Sequence, residues 1–280
     1  RYLDERTDKL LATHSTGFMS LEDGNKEKWT RDDFAAVGGR YWEEDYVDGF
    51  NFHLYADDPQ LISDALNVYQ TYELTLICNE GGSFYTLDRS SGYPNFHAEL
   101  DLDELHNEIR HAWGMMTSGG YFSMYYGPVP NLGDAASRKA AKALHAMRHV
   151  VEKTPFEQLR PIRDDGTELD DIVRSGPGTG WQVIADVGRH YIVYFWGPAT
   201  ANAVDISMAP GVYSYSWFDT REIRPPLTSG EFSSPPSGRT LIDGPKPGSW
   251  AAGAGTVLVI SVQQPAVTAS RTLPDKQLWR

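Results

Sequence analysis

One carboxylate in this chain stands where chemistry is done. Leu74, Thr75, Leu76, Ile77 and Cys78 form a short apolar run that gives way to Asn79 and Glu80, and Gly81 and Gly82 follow at once. A buried parallel strand reads as such a run. A polar residue at the C-terminal end of a parallel strand, ahead of a flexible loop, lies where barrel-shaped enzymes hold their reacting groups. Glu80 is either such a group or a strand-end carboxylate that caps the next helix. A second strand-like stretch, 49–55, carries Asn51, His53 and Tyr55, which alternate onto one face. His53 and Tyr55 are either hydrogen-bond donors that keep Glu80 ionised or a satisfied core histidine and a packing ring.

These residues need elements to carry them. Residues 1–155 alternate helix and strand. Helices are expected over 1–11, 59–72, 103–116 and 134–152, and strands over 12–17, 49–55, 74–80 and 120–126. Pro59 suits a helix start, and Leu61, Ile62, Ala65, Leu66, Val68 and Tyr69 recur at helical spacing. Leu105, Ile109, Ala112, Trp113 and Met116 line one side of the third helix. Repeated strand–helix units imply a parallel sheet with helices outside it. No glycine-rich phosphate loop follows the first strand, which counts against a nucleotide-binding fold. Gly176-Pro177-Gly178-Thr179-Gly180 precedes strands and reads as a linker or turn. After about residue 165 the rhythm changes to β-branched and aromatic runs around 181–185, 191–196, 203–206, 212–218 and 256–262. Short strands at this spacing predict an antiparallel sandwich. The expected division is 1–155 for the α/β unit, 156–178 for a linker, 179–264 for the sandwich and 265–280 for a tail.

Composition narrows the chemistry. The net charge is −13, with 25 Lys and Arg against 38 Asp and Glu. Nucleic acid is therefore not expected as a partner, because phosphate backbones need clustered cations. Eight Trp and 15 Tyr supply rings of the kind that sugar-binding clefts use for stacking, or equally a β-rich aromatic core. The single cysteine, Cys78, excludes an intrachain disulfide and a cysteine-rich zinc site, and its place in the apolar run suits a small core residue. No run of 18 apolar residues is long enough to span a membrane. His145 and His149 have metal-ligand spacing on a helix, but no third ligand accompanies them and a solvated face explains them. Asp101, Asp103 and Glu104 suit a helix N-terminus better than a calcium loop. No metal and no cofactor is expected.

With the four strands in register, the pattern resembles the second half of a clan A glycoside hydrolase barrel, strands five to eight. His53-Leu54-Tyr55 resembles the end of strand six, and Asn79-Glu80 resembles the end of strand seven, which carries the nucleophilic Glu. The stretch 119–127, with Tyr121 and Tyr125, resembles strand eight, which lines the sugar subsite, and Arg110-His111-Ala112-Trp113 resembles the helix before it. Tyr191 to Tyr194, Gly211-Val212-Tyr213 and Trp217 to Arg221 resemble a C-terminal sandwich labelled collagen-binding, which follows barrels of the apiosidase-like (DUF4038) type. The resemblance covers roughly residues 10–262.

That resemblance implies a retaining glycoside hydrolase in which Glu80 is the nucleophile and His53, Tyr55, Asn79, Tyr85, Tyr121 and Tyr125 meet the sugar. It implies a carbohydrate substrate and an extracellular or periplasmic location. Strands one to four are missing from the pattern, along with the acid/base Glu that ends strand four. The chain is accordingly expected to be a piece of a longer protein, with the missing half of the barrel upstream of Arg1. Alone it is expected to be inactive. The alternative is a non-catalytic carbohydrate-binding or surface-adhesion protein built on a decayed barrel. A Gly-x-Ser-x-Gly elbow is absent, which leaves little for a serine hydrolase.

Overall fold

A computed structural model of the protein describes residues 12–20, 49–55, 58–70, 75–81, 87–88, 93–94, 102–124, 135–162, 172–199, 201–245 and 253–263. The helix expected over 1–11 and the tail 265–280 lie outside the described residues. Four strands, β1 (Ala12–Ser20), β2 (Gly49–Tyr55), β3 (Thr75–Gly81) and β6 (Tyr121–Met124), form one parallel sheet in the order β1-β2-β3-β6. Among the described residues, two short strands between them, β4 (Leu87–Asp88) and β5 (Tyr93–Pro94), pair with each other.

Helix α1 (Pro59–Gln70) follows β2. Its start has a local cause: the Asp58 carboxylate accepts the Gln60 N–H at 3.0 Å, and Pro59 occupies the first turn, where a missing N–H costs nothing. Helix α2 (Leu102–Thr117) leads into β6, and α3 (Ala135–Val151) follows it. Gly114 sets the spacing of the first two helices. A Cβ there would stand 3.1 Å from Ile62 Cδ1 and 3.2 Å from Pro59 Cα, so α1 lies against α2 nearly backbone to backbone.

Most of the described β-structure is antiparallel. Six strands form one sheet in the order β13 (Thr228–Ser234), β12 (Gly211–Asp219), β15 (Thr256–Val262), β10 (His190–Trp196), β9 (Gly180–Asp186) and β7 (Arg160–Pro161). Three more, β14 (Arg239–Asp243), β11 (Ala203–Ser207) and β8 (Val173–Ser175), form a second sheet. The two sheets bury one cluster between them: Val183, Tyr191, Val193, Phe195, Tyr213, Trp217, Leu258 and Ile260 from the larger meet Val173, Val204, Ile206 and Ile242 from the smaller. The opposite face of the larger sheet, with Ile184, Ile192, Tyr194, Phe218, Val257 and Val259, is covered by Ile109, Ala112, Trp113 and Met116 of α2 and Ala143, Met147 and Val150 of α3. Tyr191 through Phe195 are consequently buried at every position, which is why β10 reads as an unbroken apolar run.

Two of the buried aromatics hydrogen-bond through their polar ends. The Tyr194 hydroxyl donates to the Ala254 carbonyl at 2.9 Å, in the turn before β15, and the Trp217 indole N–H donates to the Asp243 carbonyl at 3.0 Å, which ties the larger sheet to the smaller. Gly255 (φ +87°) lies so close under the Phe195 carbonyl that any Cβ would collide with it.

Two differences from the sequence reading have physical causes. The stretch 156–178, expected as a linker, carries β7 and β8. They are two and three residues long and leave no periodic signature. β13 and β14 were not anticipated either. Both are edge strands, and their residues are mostly polar or exposed.

Two outcomes follow for stability. Trp113 is 1% exposed and stacks on Tyr194 with ring centroids 5.8 Å apart. Trp113→Ala should lower unfolding free energy by about 3–5 kcal/mol in a denaturant titration, against less than about 0.5 kcal/mol for Val212→Ala on the open surface. Asp219 ends β12 under opposing influences. Burial raises its pKa, but hydrogen bonds from the Arg221 side chain and backbone outweigh this and hold it below the usual 3.8. A depressed carboxylate stabilises the fold above its unfolded pKa, and that contribution fades as pH falls through the folded value. Asp219→Asn should cost about 1.5–3 kcal/mol at neutral pH. The gap from the parent should narrow only in unfolding measurements taken below pH 3.8.

Candidate functional site at the parallel strand ends

In open and closed parallel sheets alike, ligands meet the carboxyl ends of the strands. Here that edge is formed by the last residues of β1, β2, β3 and β6. The lower part of the ladder is regular. His14 pairs with Asn51, Asn51 with Ile77 and Ile77 with Tyr121. The pairing then breaks in all three ladders at about one level. β1 shifts register between His14 and Phe18, β2–β3 between Phe52 and His53, and β3–β6 between Cys78 and Gly81. Above the break the rows resume: Phe18 pairs with His53 and His53 with Glu80, and Met19, Leu54, Gly81 and Met124 form the next row.

The middle break decides which residue of β3 lies beside His53. Phe52 pairs with Cys78, and a regular ladder would put Asn79 next to His53. Asn79 is instead the extra residue of a bulge, and Glu80 takes the place beside His53. Neighbouring strands lie about 4.8 Å apart, so the two backbones bring a carboxylic acid and an imidazole residue to adjacent positions. Bulges are frequent next to active sites because they re-aim the chain locally.

Each expected site residue has a defined place or lies outside the description. Glu80 is the last but one residue of β3, and Asn79 is its bulge. His53 and Tyr55 lie in the upper part of β2, with Tyr55 pairing with Ser20 at the last residue of β1. Tyr121 is the first residue of β6, level with Asn51 and Ile77, and so lies two residues below the His53–Glu80 row as counted along β2. That is a rise of about 7 Å. Tyr85 and Tyr125 lie outside the described residues. Sequence reading ended β1 at residue 17 and so passed over Phe18 and Ser20, which the longer strand carries to this edge. The apolar pair Phe18-Met19 after Gly17 was the available signal.

A retaining glycosidase pairs its nucleophile with a second carboxyl group about 5–5.5 Å away. Neither of the two upper rows contains another Asp or Glu. Elsewhere among the described residues no group of three His, Cys, Asp or Glu side chains could hold a metal ion, and no helix is long and apolar enough to cross a membrane. Sequence reading also missed three buried polar residues on α2. His106 is 7% exposed, Glu108 1% and His111 fully buried, because α2 touches α1, α3, β6, β9 and β10 and has little free surface.

No protein-family model and no curated protein matches the chain. The apiosidase-like family and the collagen-binding domain therefore gain no support. Among solved structures, the chain is similar to a glucosidase from Croceicoccus marinus, with 9% identity, a TM-score of 0.37, and 78% of this chain and 54% of that chain covered. It is similar to a GH30 endoxylanase from Clostridium papyrosolvens C71, with 13% identity, a TM-score of 0.41, and 94% and 68% covered. It is similar to a GH51 arabinofuranosidase from Xanthomonas axonopodis pv. citri, with 11% identity, a TM-score of 0.37, and 83% and 56% covered. The chain thus spans little more than half the length of the first and third of these structures.

Proposed function

We propose that the parallel sheet is the nucleophile-bearing part of a retaining glycoside hydrolase, with Glu80 as the attacking carboxylate. The observation that carries this reading is the bulge at Asn79, which puts Glu80 beside His53 at the carboxyl ends of parallel strands. The sheet order supports a barrel-type winding: among the described residues each strand of the sheet neighbours the sheet's next strand in sequence, with no reversal of order of the kind that marks a doubly wound sheet. The two antiparallel sheets are then a β-sandwich that buttresses the helices of this partial barrel.

In the proposed reaction Glu80 attacks the anomeric carbon and forms a glycosyl ester while the leaving oxygen departs. Water later releases the sugar with retention of configuration. The attacking group has to be ionised, and a neighbouring donor such as the imidazole N–H of His53 favours the charged form. Tyr55, the last residue of β2, is a second donor at the same edge. The acid/base carboxyl comes from outside the two upper rows. The substrate class is an oligosaccharide or polysaccharide.

The lack of a second carboxyl in those rows favours one competing reading, a carbohydrate-binding protein without turnover. A mechanism-based label separates the two. A 2-deoxy-2-fluoroglycosyl fluoride or dinitrophenyl glycoside has a leaving group that departs without protonation, so the nucleophile alone can be trapped. Incubating the chain with a panel of such sugars should give a covalent adduct one glycosyl unit heavier, and peptide mapping should place it on Glu80. Glu80→Gln should abolish it, a loss of roughly 10³-fold or more, as removal of a nucleophile does elsewhere. Sugar binding by calorimetry with no adduct, or an adduct on another carboxylate, would remove Glu80 from the mechanism.

A further inference from the structure

We infer that Gln182 is a positioning residue for the site at the parallel strand ends, an inference that rests on the function proposed above. Gln182 lies on β9 and is only 4% exposed. Its amide nitrogen donates to the Pro59 carbonyl in the first turn of α1. Its amide oxygen lies 2.6 Å from the Thr117 hydroxyl in the last turn of α2, which is itself 2.6 Å from the Trp113 carbonyl. One side chain of the antiparallel sheet thus holds an end of two helices that belong to the parallel sheet.

A buried primary amide is costly unless both its ends are paired. An apolar residue of similar volume would fill the space against α1 and α2 equally well, so what the amide adds is direction. It fixes α1 along its axis at a point where only residues 56 and 57 separate the Asp58 cap from Tyr55, the last residue of β2. The close approach at Gly114 leaves α1 little room to shift sideways. A displacement of the first turn therefore passes through a two-residue connection to the strand end that carries His53 and Tyr55.

The test uses the full chain with Gln182→Met, which keeps the volume and removes both hydrogen bonds, and Thr117→Val, which removes only the hydroxyl. The first readout is amide hydrogen exchange. Gln182→Met should exchange at least about tenfold faster over the first turns of α1, while β10 and β15 keep their protection, because local openings can lie far below the global unfolding free energy. The second readout is labelling by the activated fluoroglycoside. Its maximal rate should fall by about tenfold or more with the half-saturating concentration within about twofold, since small misplacements of reacting groups cost rate more than binding. A folded Gln182→Met protein with unchanged exchange in α1 would overturn the inference. Should that variant fail to fold, Thr117→Val decides: faster exchange across 114–118 supports the clamp, and unchanged exchange there rejects it. A parent chain that is never labelled at Glu80 overturns the proposed function instead, while the exchange result still reads the clamp.

Discussion

The rest of the molecule depends on one sheet that has to be covered twice. Tyr191, Ile192, Val193, Tyr194 and Phe195 are all fully buried on one strand, so neither face of β10 can be left to water. Each of these side chains contributes roughly 1.5–3 kcal/mol by leaving solvent, but only if a partner surface exists on its side. The three-stranded sheet supplies one surface through Val204, Ile206 and Ile242. Helices α2 and α3 supply the other. α2 is also the crossover between β3 and β6, so the element that completes the antiparallel core belongs to the parallel sheet. The stacked series Trp113, Tyr194 and Trp196, with centroids 5.8 and 5.6 Å apart, runs through that shared layer.

A fixed α2 constrains the candidate site through the backbone. β6 begins four residues after α2 ends, and its pairing with β3 anchors the lower, regular part of the ladder at Ile77 and Cys78. The upper part is then free to depart from that register, and it does so at one level in all three ladders. A regular ladder has one residue opposite one residue and would pair an amide, Asn79, with His53. The inserted residue exchanges the amide for a carboxylate. Here the chemistry of the edge is selected by where the ladder breaks.

How much of this the sequence disclosed follows from how strongly each element is buried. β3 and β10 announce themselves, since a strand covered on both faces must be apolar at consecutive positions. α1 is legible from Pro59 and the spacing of Ile62 and Leu66, both fully buried. β13 and β14 are not, because an edge strand with one open face can be built from Ser, Thr, Glu and Arg. Leu241 on β14 is 70% exposed, the reverse of what an alternation argument expects. The break in the ladder was equally invisible, because a bulge depends on which residues face each other across strands, and nothing in Cys78-Asn79-Glu80 alone specifies its partner. Glu80 and His53 could be singled out as strand-end groups. Their adjacency could not be read until the register was known. The buried polar residues of α2 escaped for a related reason: a helix enclosed on several sides loses the polar stripe that amphipathic reasoning looks for.

Apolar burial alone would leave the relation between the two sheets underdetermined. It scales with area and has no direction, so α2 could slide along the larger antiparallel sheet by a fraction of a turn at little cost. Directional contacts remove that freedom. Gln182 holds Thr117 near the C-terminal end of α2, and the Arg110 guanidinium, two turns earlier, donates to the Gly253 carbonyl in the turn before β15. That turn is pinned in its own right, by Tyr194 on the Ala254 carbonyl and Thr220 on the Gly255 carbonyl at 2.9 Å each. Two points fixed along one helix axis set both its position and its rotation. The hydrophobic layer therefore supplies the stability of the contact, while a few buried hydrogen bonds choose the alignment in which the ends of β2, β3 and β6 are presented.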